Sequence, residues 1–165
     1  MKRKTRPRKV PTRPFPWRCP RCRANQVHLS TIPYEMDVAH DGRLHHVKLR
    51  RWTVPQCKAC GELMITGESD DQISAALRTK LRLLSPAEIR AGRRKLKLSQ
   101  KELSKKLGVA EETISRWENG YLIQSRAMDN LLRLFFKLKE VRSVLTGLAQ
   151  DLPLVGSIDS LASSM

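Results

Sequence analysis

The 165-residue sequence predicts an α+β protein in two parts, a small β domain closed by four cysteines and then an all-α domain. Three observations carry that prediction. Two Cys-x-x-Cys pairs, Cys19/Cys22 and Cys57/Cys60, bracket a stretch that alternates loosely between apolar and polar residues. The segment 99–120 reads as two short helices joined by a tight turn. Beyond it, apolar residues recur at helical spacing from Ala127 to Leu145.

The net charge of +16 is unevenly placed. Residues 1–34 hold ten Lys or Arg and no acid, and residues 86–147 hold fourteen basic and seven acidic residues. Excess positive charge on the helical part fits neutralisation of nucleic-acid phosphates, with solubility as the plainer reading. No apolar run is long enough to span a bilayer. The basic N-terminus also lacks a signal-peptide core, because Pro11, Arg13, Pro14 and Pro16 interrupt the stretch 10–17. The expectation is a cytoplasmic, nucleoid-associated protein with no membrane partner. In that reducing compartment, paired cysteines are metal ligands sooner than disulfides.

In chain order, residues 1–16 are Lys, Arg and Pro with little apolar surface to bury, and read as a disordered basic arm. Such an arm can touch DNA phosphates or RNA, or be a solvated tail. Residues 17–68 form the β domain. With 34 residues between Cys22 and Cys57, the two knuckles can bring four thiolates to one tetrahedral Zn2+ per chain. Four sulfurs close the coordination sphere, so the expected zinc is structural. Gly61 suits the second knuckle turn, whereas Arg23 stands where the first would often have Gly. Asp41-Gly42 is a hairpin signal, and Leu44, Val47, Leu49, Trp52 and Val54 return as one strand or two. The whole reads as a zinc ribbon. His28, His40, His45 and His46 are surface or hairpin residues, since the cysteines already fill the site.

Residues 69–85 read as a linker helix, capped by Ser69 with Gln72 or by Asp70, and carrying Ile73, Ala76, Leu77, Leu81 and Leu84. Residues 86–147 form the helical domain. Ser85-Pro86-Ala87-Glu88 supplies a cap, a first-turn proline and an N3 glutamate, and Ile89, Leu96 and Leu98 lead into the core. Ser99 and Glu102 form a second capping box. Leu103 and Leu107 share a helix face, Gly108 ends the helix, and Val109 drops between the two helices. The second helix buries Ile114 and Trp117, turns Glu111, Glu112, Ser115 and Arg116 outward, and stops at Gly120. This is the helix-turn-helix plan, in which the second helix lies in the DNA major groove. Ala127, Leu131, Leu134, Phe135, Leu138, Val141 and Leu145 then continue as a C-terminal helix, whose later part is either a dimer seam or a helix folded back on its own core. Residues 148–165 read as a flexible tail.

The run from Ser99 to Gly120 resembles the phage-repressor and Cro, or Xre-like, helix-turn-helix family over residues 86–138. It departs at Ala110, where that family usually has Ser or Thr, and loss of the cap costs about 1 kcal/mol, partly offset by Glu111 and Glu112 at the helix start. Combined with the knuckles Cys19/Cys22 and Cys57/Cys60 and with Gly61-Glu62, the motif resembles the MqsA-type antitoxins, in which a YgiT-type zinc finger precedes the helix-turn-helix. That resemblance implies a zinc domain that binds a small ribonuclease toxin, and a helical domain that dimerises on a palindromic double-stranded operator and represses its own operon. It implies that Gln100 contacts a phosphate, that Glu112, Thr113 and Arg116 face bases, and that Asn119 offers its backbone to phosphates. Glu111 and Ser115 complete the candidate DNA-binding set. The repressor resemblance also implies an Arg93–Glu118 pair. Arg prefers guanine and Glu accepts from cytosine; Glu112 and Arg116 are also an i,i+4 pair worth about 0.2–0.5 kcal/mol to the helix alone.

The expected function is therefore a sequence-specific repressor, the antitoxin of a type II toxin–antitoxin system. Two alternatives stand beside it: a zinc-domain protein that neutralises a toxin with DNA binding secondary, and an Xre-type regulator with no toxin. No enzyme is expected, since the zinc site is closed and the sequence offers no paired carboxylates, activated nucleophile or phosphate loop.

Overall fold

The computed structural model describes residues 13–151, and among them it holds two strands and six helices. Most of the expected basic arm and the expected tail from residue 152 onward lie outside the described residues. The chain divides into two compact units. One comprises residues up to Asp37 together with His46–Ala76, and the other comprises Val38–His45 with the chain from Leu77 onward.

The β part is one long hairpin, β1 (Val27–His40) and β2 (Arg43–Cys57), turning at Asp41 and Gly42, both at positive φ. The second strand is unbroken, where the sequence left open one strand or two. Its side-chain alternation changes phase along the way. Val47 and Leu49 are buried, Arg50 and Arg51 are both exposed, and Trp52 and Val54 are buried again. The cross-strand contacts agree: His46 bonds Asp37, whereas Thr53 bonds Thr31, one residue out of the same register. A β-bulge at Arg50-Arg51 accounts for both, and for the fifteenth residue of β2 against fourteen in β1. It lets the strand keep one face buried before and after the kink.

In the first unit, Trp17 pairs with Val27 through two backbone hydrogen bonds of 3.0 and 3.1 Å, and Gln56 bridges Leu63. These bridges draw both cysteine knuckles to the base of the hairpin, around a small core of Cys19, Val27 and Cys57 backed by Trp17, Cys60 and Met64. Trp52 is fully buried, stacks on Tyr34 at 4.3 Å, and donates from Nε1 to the Ser69 carbonyl at 2.9 Å. Helix α1 (Gly67–Leu81) starts one turn earlier than expected. Thr66 takes the cap position, its amide donating to Ser69 Oγ at 2.7 Å while the Ser69 amide donates to Thr66 Oγ1. Ser69 is thus the third residue of the helix rather than its cap, and Gln72 docks on the strand instead, bonding both the amide and the carbonyl of Thr53 at 2.9 Å.

The second unit takes the last residues of α1, then α2 (Pro86–Lys95), α3 (Gln100–Leu107), α4 (Glu111–Asn119), α5 (Arg126–Lys137) and α6 (Lys139–Asp151). Ser85 and Ser99 each form a complete capping box, with Glu88 and Glu102 respectively. Both carboxylates lie below their ordinary pKa because the cap amide and hydroxyl favour the charged form. Leu84, Ile89, Leu103, Leu107, Ile114, Trp117, Leu132 and Phe135 form the buried core, with Val109 packed against it from the α3–α4 turn. The expected single C-terminal helix is two helices, broken at Leu138, whose backbone is extended. Neither Gly nor Pro marks the break. Arg142 stabilises it by donating to the Phe135 carbonyl at 2.8 Å, one of the carbonyls that a helix end leaves without a partner. α6 then packs on α3 and α5.

Candidate metal centre and nucleic-acid interface

The knuckles share one local design. In each, the residue four after the first cysteine turns the chain at positive φ, Arg23 at 64° and Gly61 at 78°, and its amide donates back to Cys19 or Cys57 at 3.0 and 2.8 Å. Arg23 accepts a conformation that glycine adopts without strain, at a cost of about 1–2 kcal/mol. The result is a cluster in which all four Sγ atoms lie within 4.8 Å of one another. Cys19 and Cys60 approach to 3.6 Å, as do Cys22 and Cys57, and none is in a disulfide. Sulfurs about 2.3 Å from a tetrahedral zinc would stand roughly 3.8 Å apart, so the donor set and its spacing fit such an ion. Cys19 and Cys57 are buried, Cys60 is half-buried and Cys22 is exposed. The amide of Cys22, more than any other contact, brings the Cys19 thiol down to about 7. At Cys60 the Glu62 amide pulls downward, but burial and the other three thiols outweigh it and push the thiol up to about 12. Thiols this crowded share protons, and a cation that takes them as thiolates must displace those protons.

Around α4 the organising group is Glu118, whose side chain is 1% exposed. Arg93 donates to it from Nε at 2.6 Å and from a terminal nitrogen at 2.8 Å, and Gln100 donates at 2.9 Å. The other terminal nitrogen of Arg93 holds the Leu98 carbonyl at 2.7 Å, so one guanidinium ties the end of α4 to the turn before α3. Burial disfavours the Glu118 carboxylate, yet Arg93, Gln100 and Arg90 more than compensate and its pKa lies below the ordinary value; that of Arg93 is raised by the same contact.

With Glu118, Ile114 and Trp117 buried inward, α4 leaves Glu111, Glu112, Arg116 and Asn119 exposed, and Thr113 and Ser115 half-buried. Asn119 donates to Ser115 Oγ at 3.3 Å. Ala110 precedes the helix with no side-chain cap, and Gly108 turns the chain at φ 67°. Of the candidate residues, the structure thus brings Gln100, Arg93 and Glu118 into one cluster and sets the other six along α4. Gln100, half-buried, spends an amide hydrogen on Glu118 rather than presenting its whole side chain outward.

Two arginines at this site have no sequence signal. Arg90, three residues before Arg93, donates to the Glu118 carbonyl at 2.5 Å and to Asn119 Oδ1 at 3.2 Å. Arg78, on the helix read as a linker, is 6% exposed and donates to the carbonyls of Gly120 and Leu122. Their partners lie 28 to 44 residues away, beyond the reach of any local pattern.

Compared with known protein families, residues 17–144 match the model described as the antitoxin component of a bacterial toxin–antitoxin system, MqsA. The chain belongs to the MqsA antitoxin family. The match takes in both cysteine knuckles, the hairpin and α1 to α5, and reaches into α6. No curated protein matches this MqsA-family chain significantly. Among the described residues, no helix is long and apolar enough to cross a membrane.

Proposed function

We propose that this MqsA-family chain is the antitoxin of a type II toxin–antitoxin system and a repressor of its own operon. In this reading a homodimer places one α4 in each of two major-groove half-sites of a palindromic operator, about one helical turn apart. Arg116 reads guanine and Glu112 reads cytosine, while Glu111, Thr113, Ser115, Gln100 and Asn119 contribute further base-edge and phosphate contacts. The four cysteines hold one structural Zn2+, which keeps the hairpin domain in shape to bind the toxin. The protein acts by binding rather than by catalysis, and it does so in the cytoplasm, at the nucleoid. Residues 86–147 form the DNA-binding domain, 17–68 the zinc ribbon, and the basic arm adds non-specific affinity.

The observation that supports this most is the outward face of α4, which is polar from Glu111 to Asn119 while its other side is locked through Glu118, Ile114 and Trp117. A reading helix needs that combination, because side chains discriminate base edges only from a fixed backbone. The test is selection of bound duplexes from a random pool by the full-length, metal-loaded protein. Enrichment of a two-fold symmetric site supports the reading, and enrichment of nothing overturns it. Purification from the native host tests the other half, since the reading expects a ribonuclease toxin to accompany the chain.

A further inference from the structure

The turn that follows α4 is held by hydrogen bonds from residues far away in the chain. Arg78, almost fully buried, places one terminal nitrogen 3.1 Å from the Gly120 carbonyl and 3.2 Å from that of Leu122. Arg90 takes the Glu118 carbonyl and Asn119 Oδ1 from behind. The Leu122 amide returns to the Arg116 carbonyl, and Gln124, 1% exposed, bonds the Leu84 carbonyl and Asp129 at 2.7 and 3.0 Å. Between these anchors stands Tyr121, 80% exposed, the most exposed large hydrophobic side chain among the described residues.

We infer that Tyr121 is a contact to the DNA sugar–phosphate backbone, presented by a turn that Arg78 positions. The inference rests on the reading of α4 as the major-groove helix. Three physical points carry it. A recognition helix contacts base edges through its N-terminal residues, so the chain beyond the C-terminus of the nine-residue α4 leads away from the groove floor. A residue just past that end therefore stands at the groove wall, which is backbone. Next, a carbonyl oxygen facing a phosphate repels it, and Arg78 draws two carbonyls of this turn inward. Last, a tyrosine on a fixed turn has little freedom left to lose on binding, and its hydroxyl can donate to a phosphate oxygen.

A neutral donor on a phosphate has a signature that neither a base reader nor a cation shares. It carries no sequence information, so its loss weakens all duplexes alike. It also releases no counterion, so its loss leaves the salt dependence of binding unchanged. Arg78 is a positioning residue in this scheme, and its effect on DNA must run through Tyr121.

The experiment is a fluorescence-anisotropy titration of the full-length protein on its selected duplex and on a scrambled one, at two salt concentrations. Tyr121→Phe keeps the ring and removes the donor. The expected result is a loss of about tenfold on both duplexes, the size of a hydrogen bond to a charged group, with the salt slope unaltered. Arg78→Lys keeps the charge but not the planar guanidinium whose terminal nitrogen meets both carbonyls, and should give a similar loss. The double variant should lose no more than the single ones, because both act on one contact. Equal affinity of Tyr121→Phe and wild type on both duplexes overturns the inference and leaves the α4 reading intact. Additive losses in the double variant overturn the positioning role of Arg78. Absence of binding by the wild-type protein overturns the α4 reading and this inference with it. Tyr121 is exposed, so its variant folds whatever becomes of Arg78→Lys.

Discussion

Replacing Glu118 with alanine should cost the helical unit about 3–5 kcal/mol, the range for stripping one partner from a buried ion pair. The magnitude follows from what is stranded. Arg93, with a side chain 12% exposed, loses both bonds to the carboxylate and keeps only the Leu98 carbonyl. Gln100 loses its acceptor, and Arg90 loses a carboxylate oxygen 3.8 Å from its Nε. A surface pair would be worth only about 0–1 kcal/mol. Against a typical domain stability of about 5–15 kcal/mol, the loss is about a fifth or more. At a urea slope of about 2 kcal/mol per molar it moves the midpoint by about 2 M. The assay is urea unfolding followed by helical circular dichroism, for wild type, Glu118→Ala, Arg93→Met and the double variant. The double should be clearly more stable than the sum of the two losses predicts, because no charge is left buried without its partner. A Glu118→Ala loss below 1 kcal/mol, or strict additivity, would refute the reasoning.

Acid should weaken the same unit. Glu118 and Asp129 both lie below their ordinary pKa values: burial opposes each charge, but Arg93 and Arg133 respectively, with further hydrogen bonds, prevail. A depressed folded pKa gives stability that is present above the ordinary value of about 4 and is lost as pH falls through the folded one. Urea midpoints should therefore drop as pH falls below about 4, and less steeply in Glu118→Gln; a pH-independent midpoint there would contradict this. A chelator should remove one zinc per chain and unfold the cysteine-bearing unit while α2 to α6 stay folded, as followed by elemental analysis and by the fluorescence of Trp52. Well under one zinc per chain in carefully purified protein would contradict it. Gly92→Ala sets two effects against each other, because alanine favours the helix by about 1 kcal/mol while its Cβ would fall 2.5 Å from Phe136 Cδ2. Overpacking of that size costs about 1–3 kcal/mol, so a lower melting temperature is expected, and a higher one would show that Phe136 yields.

What could be read from the sequence was what neighbouring residues decide among themselves. The capping boxes at Ser85 and Ser99 need three-residue spacing, the left-handed turn at Gly108 favours a glycine, and the α+β division follows from two different periodicities. The knuckles are legible because a pair of cysteines three residues apart has few other uses. The bulge at Arg50-Arg51 is not legible, since strand register is decided by the partner strand. The break at Leu138 depends on Arg142 reaching back to the Phe135 carbonyl, and nothing in a run of helix formers announces it. The cap at Thr66 was hidden by Ser69 and Asp70, which are equally good capping residues nearby. At the α4 site, the family resemblance points to Arg93 and Glu118, whereas Arg78 and Arg90 answer to no pattern. Their roles exist only once residues far apart in the chain have been folded together.

The central claim, that α4 reads DNA sequence, is tested most directly by titrating Arg116→Ala on the selected duplex and on a scrambled one. Arg116 stands exposed on α4, one turn beyond Glu112, away from buried Ile114 and Trp117. A bidentate contact to guanine is worth about 1–3 kcal/mol of discrimination. The account predicts that the variant loses about ten- to a hundredfold on the selected duplex and far less on the scrambled one, with relaxed preference at one base pair in each half-site. Equal losses on both duplexes would make Arg116 a phosphate clamp and contradict the claim.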